Sequence, residues 1–361
     1  MRPAADAVSP RHDALLIYGA NGFTGRLIAR AALGLGLRPV LAGRNASALA
    51  ALAAPLGLAH RVASLADATQ LDAALRGMRV VLHAAGPFSQ TAAPMVAACL
   101  RAGAHYLDVT GEIPVIETLA RCDRAARARG VMVMPGVGFD VVPSDCLALH
   151  VARRLPDATE LALGLTGLAF ATRGSAATLA EHAGVGVHVR RGGVLTPVPP
   201  GALRRSFDFG AGPRPCCNVS WGDVAAAWYT TGIPDIAVYF EATPTLEAML
   251  LASRFLGWML RGAPGQAWLK GHAALLPEGP DAAARARHEM VLVAEARAPG
   301  GRMARARLRT PEAYSFTALA APVLARRALQ GDCEPGFQTP ARVYGADFVL
   351  SLDGVAREDL P

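Results

Sequence analysis

Through its first 150 residues the chain alternates short apolar runs with longer stretches whose apolar positions recur every three or four residues. Leu15-Leu16-Ile17-Tyr18 is an unbroken apolar run, too short for a buried helix, and predicts a strand covered on both faces. A helix follows through Arg26-Leu27-Ile28-Ala29-Arg30, then a second strand at 38–42, an alanine-rich helix over 45–56 closed by Pro55 and Gly57, and a third strand near 59–64. The same rhythm gives a helix at 65–76, a strand at 79–85, a helix at 94–102, a strand at 105–109, a helix at 114–129 and a sixth strand at 131–135. Strict alternation with short connections predicts an α/β fold, a doubly wound parallel sheet with helices on both faces.

From about Pro156 the pattern changes. Strand segments at 160–168, 185–190, 194–197, 204–209, 218–221 and 235–241 are separated by Gly-Gly and Pro-Pro turns, with short helices at 175–183 and 223–229. Segments 288–298 and 303–310 flank Pro299-Gly300-Gly301 as a hairpin, and 311–329 reads as a helix. The expected organisation is a disordered stretch at 1–13, a first domain at 14–150, a second α+β domain at 151–333, and a segment at 334–361 that returns to the first. Residues 245–261 carry Leu246, Met249, Leu250, Leu256, Met259 and Leu260 at helical spacing, a stripe for the domain's own core, a partner subunit or a membrane surface.

The first strand runs into Gly19, Gly22 and Gly25, spaced GxxGxxG, and then into a helix. Strand, glycine turn and helix together present free backbone N–H groups and the positive end of a helix dipole, which hold a pyrophosphate. Gly19 makes the tight turn, Gly22 admits phosphate to the backbone, and Gly25 allows close helix packing. The first domain therefore reads as a doubly wound nucleotide-binding unit. In such sheets a ligand lies beyond the carboxyl ends of the strands, which here are the loops 19–25, 43–45, 85–88, 110–112 and 136–140. The cofactor-binding candidates are Gly19, Ala20, Asn21, Gly22, Phe23, Thr24 and Gly25, with Gly43, Arg44 and Asn45, Ala85, Gly86 and Pro87, and Thr110 and Gly111. At the tip of the second strand, where an acid would grip the ribose of NAD, stands Arg44, and no Asp or Glu occurs between Gly19 and Ser64. A guanidinium there favours the 2′-phosphate of NADP.

Composition narrows the partners. The net charge of +7 comes almost wholly from arginine, Lys270 being the only lysine, and the arginines are scattered. That is an attraction for anionic ligands rather than the dense basic stripe of a nucleic-acid binder. The cysteines show no CxxC and no zinc-type spacing, so no metal site and a reducing, cytoplasmic setting are expected. No run of about 18 apolar residues marks a membrane span, and no secretory signal is visible.

A nicotinamide delivers hydride, and the protein must supply a proton and orient the substrate. The proton-donor candidates are Glu112, after the fifth strand, Asp140, after the sixth, and His182, in the second domain. Asp108, Thr110, Ser144 and Asp145 lie on the same loops, and Ser144-Asp145 reads as a helix cap. Arg173 suits an acidic substrate group, with Ser175 near it in sequence; Trp221 and Trp228 read as pocket wall or core. A Tyr-x-x-x-Lys pair is ruled out, because Gln266 stands four residues before the single lysine.

The segments YGANGFTG, AGRN, AAGPF, YLDVTGE and MPGVGFDVVPSD, in this order, resemble saccharopine dehydrogenase-like oxidoreductases. TTGIPDIAVYFE and TPARVYG extend the likeness, nearest to the branch that includes trans-acting enoyl reductases. The resemblance implies a Rossmann-type NADP domain completed by the C-terminal segment, an α+β domain between, and hydride transfer from NADPH to a C=C, C=N or C=O group of a small-molecule or acyl-type substrate. Lys270, in QAWLKGH, matches no lysine site of true saccharopine dehydrogenases, which departs from literal saccharopine chemistry. A homodimer through the second domain is the expected assembly. The alternative is a non-catalytic NADP-binding redox sensor.

Overall fold

The computed structural model describes residues 14–167, 187–260 and 277–361, with isolated positions between 261 and 276. His182, Arg173, Ser175, Lys270 and the helix expected at 175–183 lie outside the described residues.

The apolar run becomes β1 (Leu15–Tyr18), whose residues are all buried. After it come α1 (Phe23–Gly34), β2 (Val40–Gly43), α2 (Ala46–Leu56), β3 (His60–Val62), α3 (Ala68–Ala74) and β4 (Val80–His83). Then follow α4 (Phe88–Ala102), β5 (His105–Asp108), α5 (Ile113–Ala120), α6 (Asp123–Ala128), β6 (Met132–Met134) and α7 (Val142–Arg154). All pairings in this sheet are parallel, and its order is β15-β6-β5-β4-β1-β2-β3, where β15 is Gly336–Phe337. β1 thus lies between β2 and β4, at the point where the winding reverses, and the crevice there opens at the carboxyl ends.

The second sheet contains β7 (Glu160–Thr166), β8 (Val187–Arg191), β9 (Val194–Val198), β10 (Arg204–Asp208), β11 (Pro213–Val219) and β12 (Asp235–Glu241). β13 (Glu289–Arg297), β14 (Met303–Pro311) and β16 (Ala356–Leu360) complete it. Its order is β10-β11-β12-β7-β13-β14-β16, with β8 and β9 set beside β12; only β7 and β12 run parallel. α8 (Asp223–Thr231), α9 (Pro244–Leu260) and α10 (Ala282–Ala286) decorate it. α7 is the shared wall: it packs on β13 and β14, on α8, and on α12 (Pro340–Tyr344). α11 (Ala313–Leu329) leaves the second sheet and packs on α1 and β4 of the first.

The C-terminal stretch divides between the two sheets: Gly336–Phe337 extends the first, and Ala356–Leu360 pairs with β14 in the second. The domains are also joined by a buried ion pair. Arg190 of β8, 4% exposed, pairs with Glu117 of α5, and the Tyr229 hydroxyl donates to the same carboxylate at 2.8 Å.

Local chemistry moves several expected boundaries. α4 starts at Phe88 rather than at Pro94, because Glu112 caps it from a distant loop: its carboxylate accepts the amides of Phe88 at 2.7 Å and Ser89 at 3.0 Å. Ser144 is no cap. α7 begins two residues before it, and its hydroxyl donates to Asp223. β11 starts at Pro213, ahead of the expected 218, since Pro213 and Pro215 lie beyond the part paired with β12, where a missing N–H breaks no ladder on that side.

Candidate dinucleotide site and inter-domain cleft

The three glycines of the loop differ in what a side chain would meet. Gly19 adopts φ +81°, and a Cβ there would sit 2.7 Å from the Ala85 Cβ, so the loops after β1 and β4 touch. A Cβ on Gly25 would lie 2.3 Å from the Gly19 carbonyl oxygen, which leaves room for nothing larger than glycine where α1 meets the loop. At Gly22 a Cβ would meet only the Gly19 carbonyl, at 3.3 Å, so this residue faces open space. Gly22 is the N-cap of α1 with no side-chain cap, and the amides of Phe23, Thr24 and Gly25 have no acceptor among the described residues. Three free N–H groups at a helix N-terminus beside an open glycine fit a pyrophosphate.

Asn21 and Gly43 meet across the crevice; a Cβ on Gly43 would be 3.1 Å from the Asn21 side-chain oxygen. Asn45 caps α2 by accepting the Ala48 amide at 3.0 Å. Arg44 between them is exposed and makes no ion pair or hydrogen bond among the described residues, in a chain where many other arginines are paired. A free guanidinium at the end of β2 fits the 2′-phosphate. Phe23 is held edge-on to Tyr314, centroids 5.3 Å apart, while Gly279 backs onto its ring and Arg26 pairs with Glu278. The 278–279 stretch thus closes over the start of α1.

On the other side of β1 the loops after β4, β5 and β6 are wired together. Thr91 donates to the carbonyls of Ala85 and Pro87, beside Gly86, and Glu112 caps the helix that follows. Asp108 accepts the amides of Thr110 and Gly136 and the Tyr106 hydroxyl, and Thr110 accepts the Glu112 amide. Tyr106 also meets His83 at 3.2 Å. His83 is fully buried, which lowers its pKa to about 3 and keeps it neutral. Neither this network nor Asp223 carries a local sequence signal; both are produced by strand pairing and helix packing.

Of the acid candidates, Glu112 spends its carboxylate on a helix cap. Asp140 does not: among the described residues its carboxyl makes no hydrogen bond, and it is only partly covered. It lies against Gly111, where a Cβ would be 2.8 Å from its Oδ2. Burial, aided by the charge of Glu112, raises its pKa to about 7. The second domain meets this spot through Gly222, where a Cβ would be 3.2 Å from the Gly111 backbone. Next to it Trp221 packs edge-on to Phe240, and Asp223, fully buried, accepts from Ser144 on one oxygen; among the described residues the Trp221 Nε1 and the other Asp223 oxygen have no partner. Trp228 lies under the Arg190 guanidinium, 5.2 Å away, as packing. Asp145 binds Thr230 and the Ala341 amide, and burial raises it to about 7. Among the described residues no cluster of His, Cys, Asp or Glu could hold a metal, and no helix is long and apolar enough to cross a membrane.

Raised carboxyl pKa values have a stability consequence. Asp140 and Asp145 near 7, and Asp108 near 6, hold protons in the folded chain that the unfolded chain, with carboxyls near 4, releases. The folded state therefore gains stability as pH falls through 7. Buried His83 opposes this only below about 6.5, where unfolded histidine protonates. The urea midpoint is expected to be higher at pH 6.5 than at pH 8; the reverse order would show these carboxyls ionised in the fold.

A reversed parallel sheet, an open glycine cradle at its first crossover and a free arginine at the second strand end define a dinucleotide-binding protein of the NADP type. More narrowly, residues 15–134 match the model of the saccharopine dehydrogenase NADP binding domain. The chain is 34% identical over 182 residues to a trans-acting enoyl reductase of Mycobacterium bovis, and 32% identical over 186 residues to one of Mycobacterium ulcerans. The matches cover 46% and 47% of this chain and 44% of each relative. The whole chain has the fold of saccharopine dehydrogenase (L-Glu forming) from Saccharomyces cerevisiae, with a TM-score of 0.66 at 11% identity over 96% of this chain and 99% of that one.

Proposed function

We propose that the protein is an NADP(H)-dependent oxidoreductase that reduces a polarised C=C, C=N or C=O bond, with Asp140 as the proton donor. The observation that carries the reading is the Asp140 carboxyl: unbonded, partly open, near 7, and set between the Gly111 loop and the Gly222 loop of the second domain. The amides of Phe23, Thr24 and Gly25 would hold the cofactor's pyrophosphate and Arg44 its 2′-phosphate, which leaves the reactive ring to the loops after β4 and β5. NADPH supplies the hydride. Asp140 is protonated at and below neutral pH and gives its proton to the substrate atom that becomes electron-rich. Glu112 and Asp108 fix the loops around it. Relatives named enoyl reductases favour an acyl-type enoyl substrate among the three bond classes.

The test is NADPH consumption against a panel of enoyl thioesters, enones and imines, run beside NADH and an Arg44→Ala variant. Turnover with at least one class is expected, and Arg44→Ala should weaken NADPH binding about tenfold to a hundredfold, one charge-assisted phosphate contact, while leaving NADH nearly unchanged. Tight NADPH binding with no turnover of any class would point to a redox sensor instead. Equal losses for both nucleotides would remove the phosphate role of Arg44.

A further inference from the structure

We propose that the outward face of α9 rests on an anionic lipid surface. This goes beyond the reading of the cleft and does not depend on it. α9 turns four large apolar side chains outward, more than a helix that serves only its own domain needs. Leu246 packs on the core and Leu250 lies against Gly201, one turn on, so these two face the body. Leu251, Phe255 and Met259, at four-residue spacing, lie on the far side and are 56%, 67% and 49% exposed. Met249, at 52%, flanks them. Four of the eight large exposed hydrophobic side chains among the described residues therefore stand on one helix, in which no described position is buried.

The charge along the sequence selects the occupant. From Ala248 to Pro277 the sequence contains no Asp or Glu, and it contains Arg254, Arg261 and Lys270, the last being the only lysine. The same stretch holds Trp258 and Trp268, two of the four tryptophans. The Arg254 guanidinium carbon lies 5.8 Å from the centre of the Phe255 ring, and Arg254 makes no ion pair among the described residues. The acids on either side are engaged elsewhere, Glu247 with Arg204 and Glu278 with Arg26. A second copy seated on this face would bring Arg254 against a helix whose one acid, Glu247, is already paired with Arg204. A bilayer with anionic headgroups supplies both the apolar layer for Leu251, Phe255 and Met259 and the negative charge for Arg254. The helix lies in the interface rather than across it.

The experiment is flotation of the full chain with vesicles of equal phosphatidylcholine and phosphatidylglycerol, and with phosphatidylcholine alone. The protein should float with the anionic vesicles, less with the neutral ones, and be released by high salt. Leu251→Glu combined with Phe255→Glu should cut the bound fraction at least about tenfold. NADPH binding and the thermal midpoint, read on the same samples, should not move, because both side chains are exposed and neither belongs to the residues placed at the glycine loop. Protein that stays below the anionic vesicles, or a double variant that floats as well as the wild type, overturns the proposal. A dimer that the wild type forms and the double variant does not, without vesicle binding, assigns the face to a second copy and overturns it equally.

Discussion

Gly22→Val is expected to abolish binding of both NADPH and NADH while leaving the fold intact. The backbone at Gly22, φ −73° and ψ 166°, is one that valine adopts freely. Its Cβ would meet only the Gly19 carbonyl oxygen, at 3.3 Å, so the empty protein has little to resist. The two methyl groups, however, would stand over the amides of Phe23, Thr24 and Gly25. Losing two charge-assisted hydrogen bonds at roughly 1.5–3 kcal/mol each weakens binding by about a hundredfold or more. Titration of nucleotide by calorimetry, with the urea midpoint measured alongside, checks this. A variant that still binds NADPH would place the pyrophosphate elsewhere. Gly25→Ala is the contrasting case: its Cβ would press into the Gly19 carbonyl at 2.3 Å, so it should lose stability before it loses ligand.

Asp140→Asn is expected to lower kcat by about a hundredfold or more, the usual worth of a positioned general acid, with the Kd for NADPH unchanged. In the wild type, kcat should fall as pH rises through about 7, because the carboxyl must hold its proton to give it away. Asparagine cannot titrate, so this limb should vanish. If the variant keeps full turnover, or keeps the same pH limb, the acid is another group.

The parts of the molecule legible in its sequence are those whose physics is local. Leu15–Tyr18 was readable as a buried parallel strand because it is apolar throughout, and Gly19 and Gly25 were readable because a tight turn and a close packing contact each exclude a side chain. The place of Arg44 just past the end of β2 was legible from the strand pattern alone. What escaped depends on residues distant in the chain. The start of α4 is set by Glu112, 24 residues away, so Pro94, a common first-turn residue, drew the expected boundary too late. The helix expected over 114–129 breaks at Arg121 and Cys122 into α5 and α6. Asp223 could not be singled out, since its burial exists only once α8 packs on α7. The sequence did not distinguish Glu112 from Asp140; the fold does, because Glu112 accepts the amides of Phe88 and Ser89 while Asp140 makes no hydrogen bond among the described residues.

The pairing of β15 with β6 bears on how the chain is made. A ribosome releases β6 some two hundred residues before it releases Gly336 and Phe337, so the rim of the first sheet emerges with a bare row of amides and carbonyls. During that interval the nascent protein is open to edge-to-edge pairing with its neighbours on a polysome. A truncation after Pro311 should keep that rim permanently bare, and chaperone demand during synthesis should track the time taken to translate this stretch.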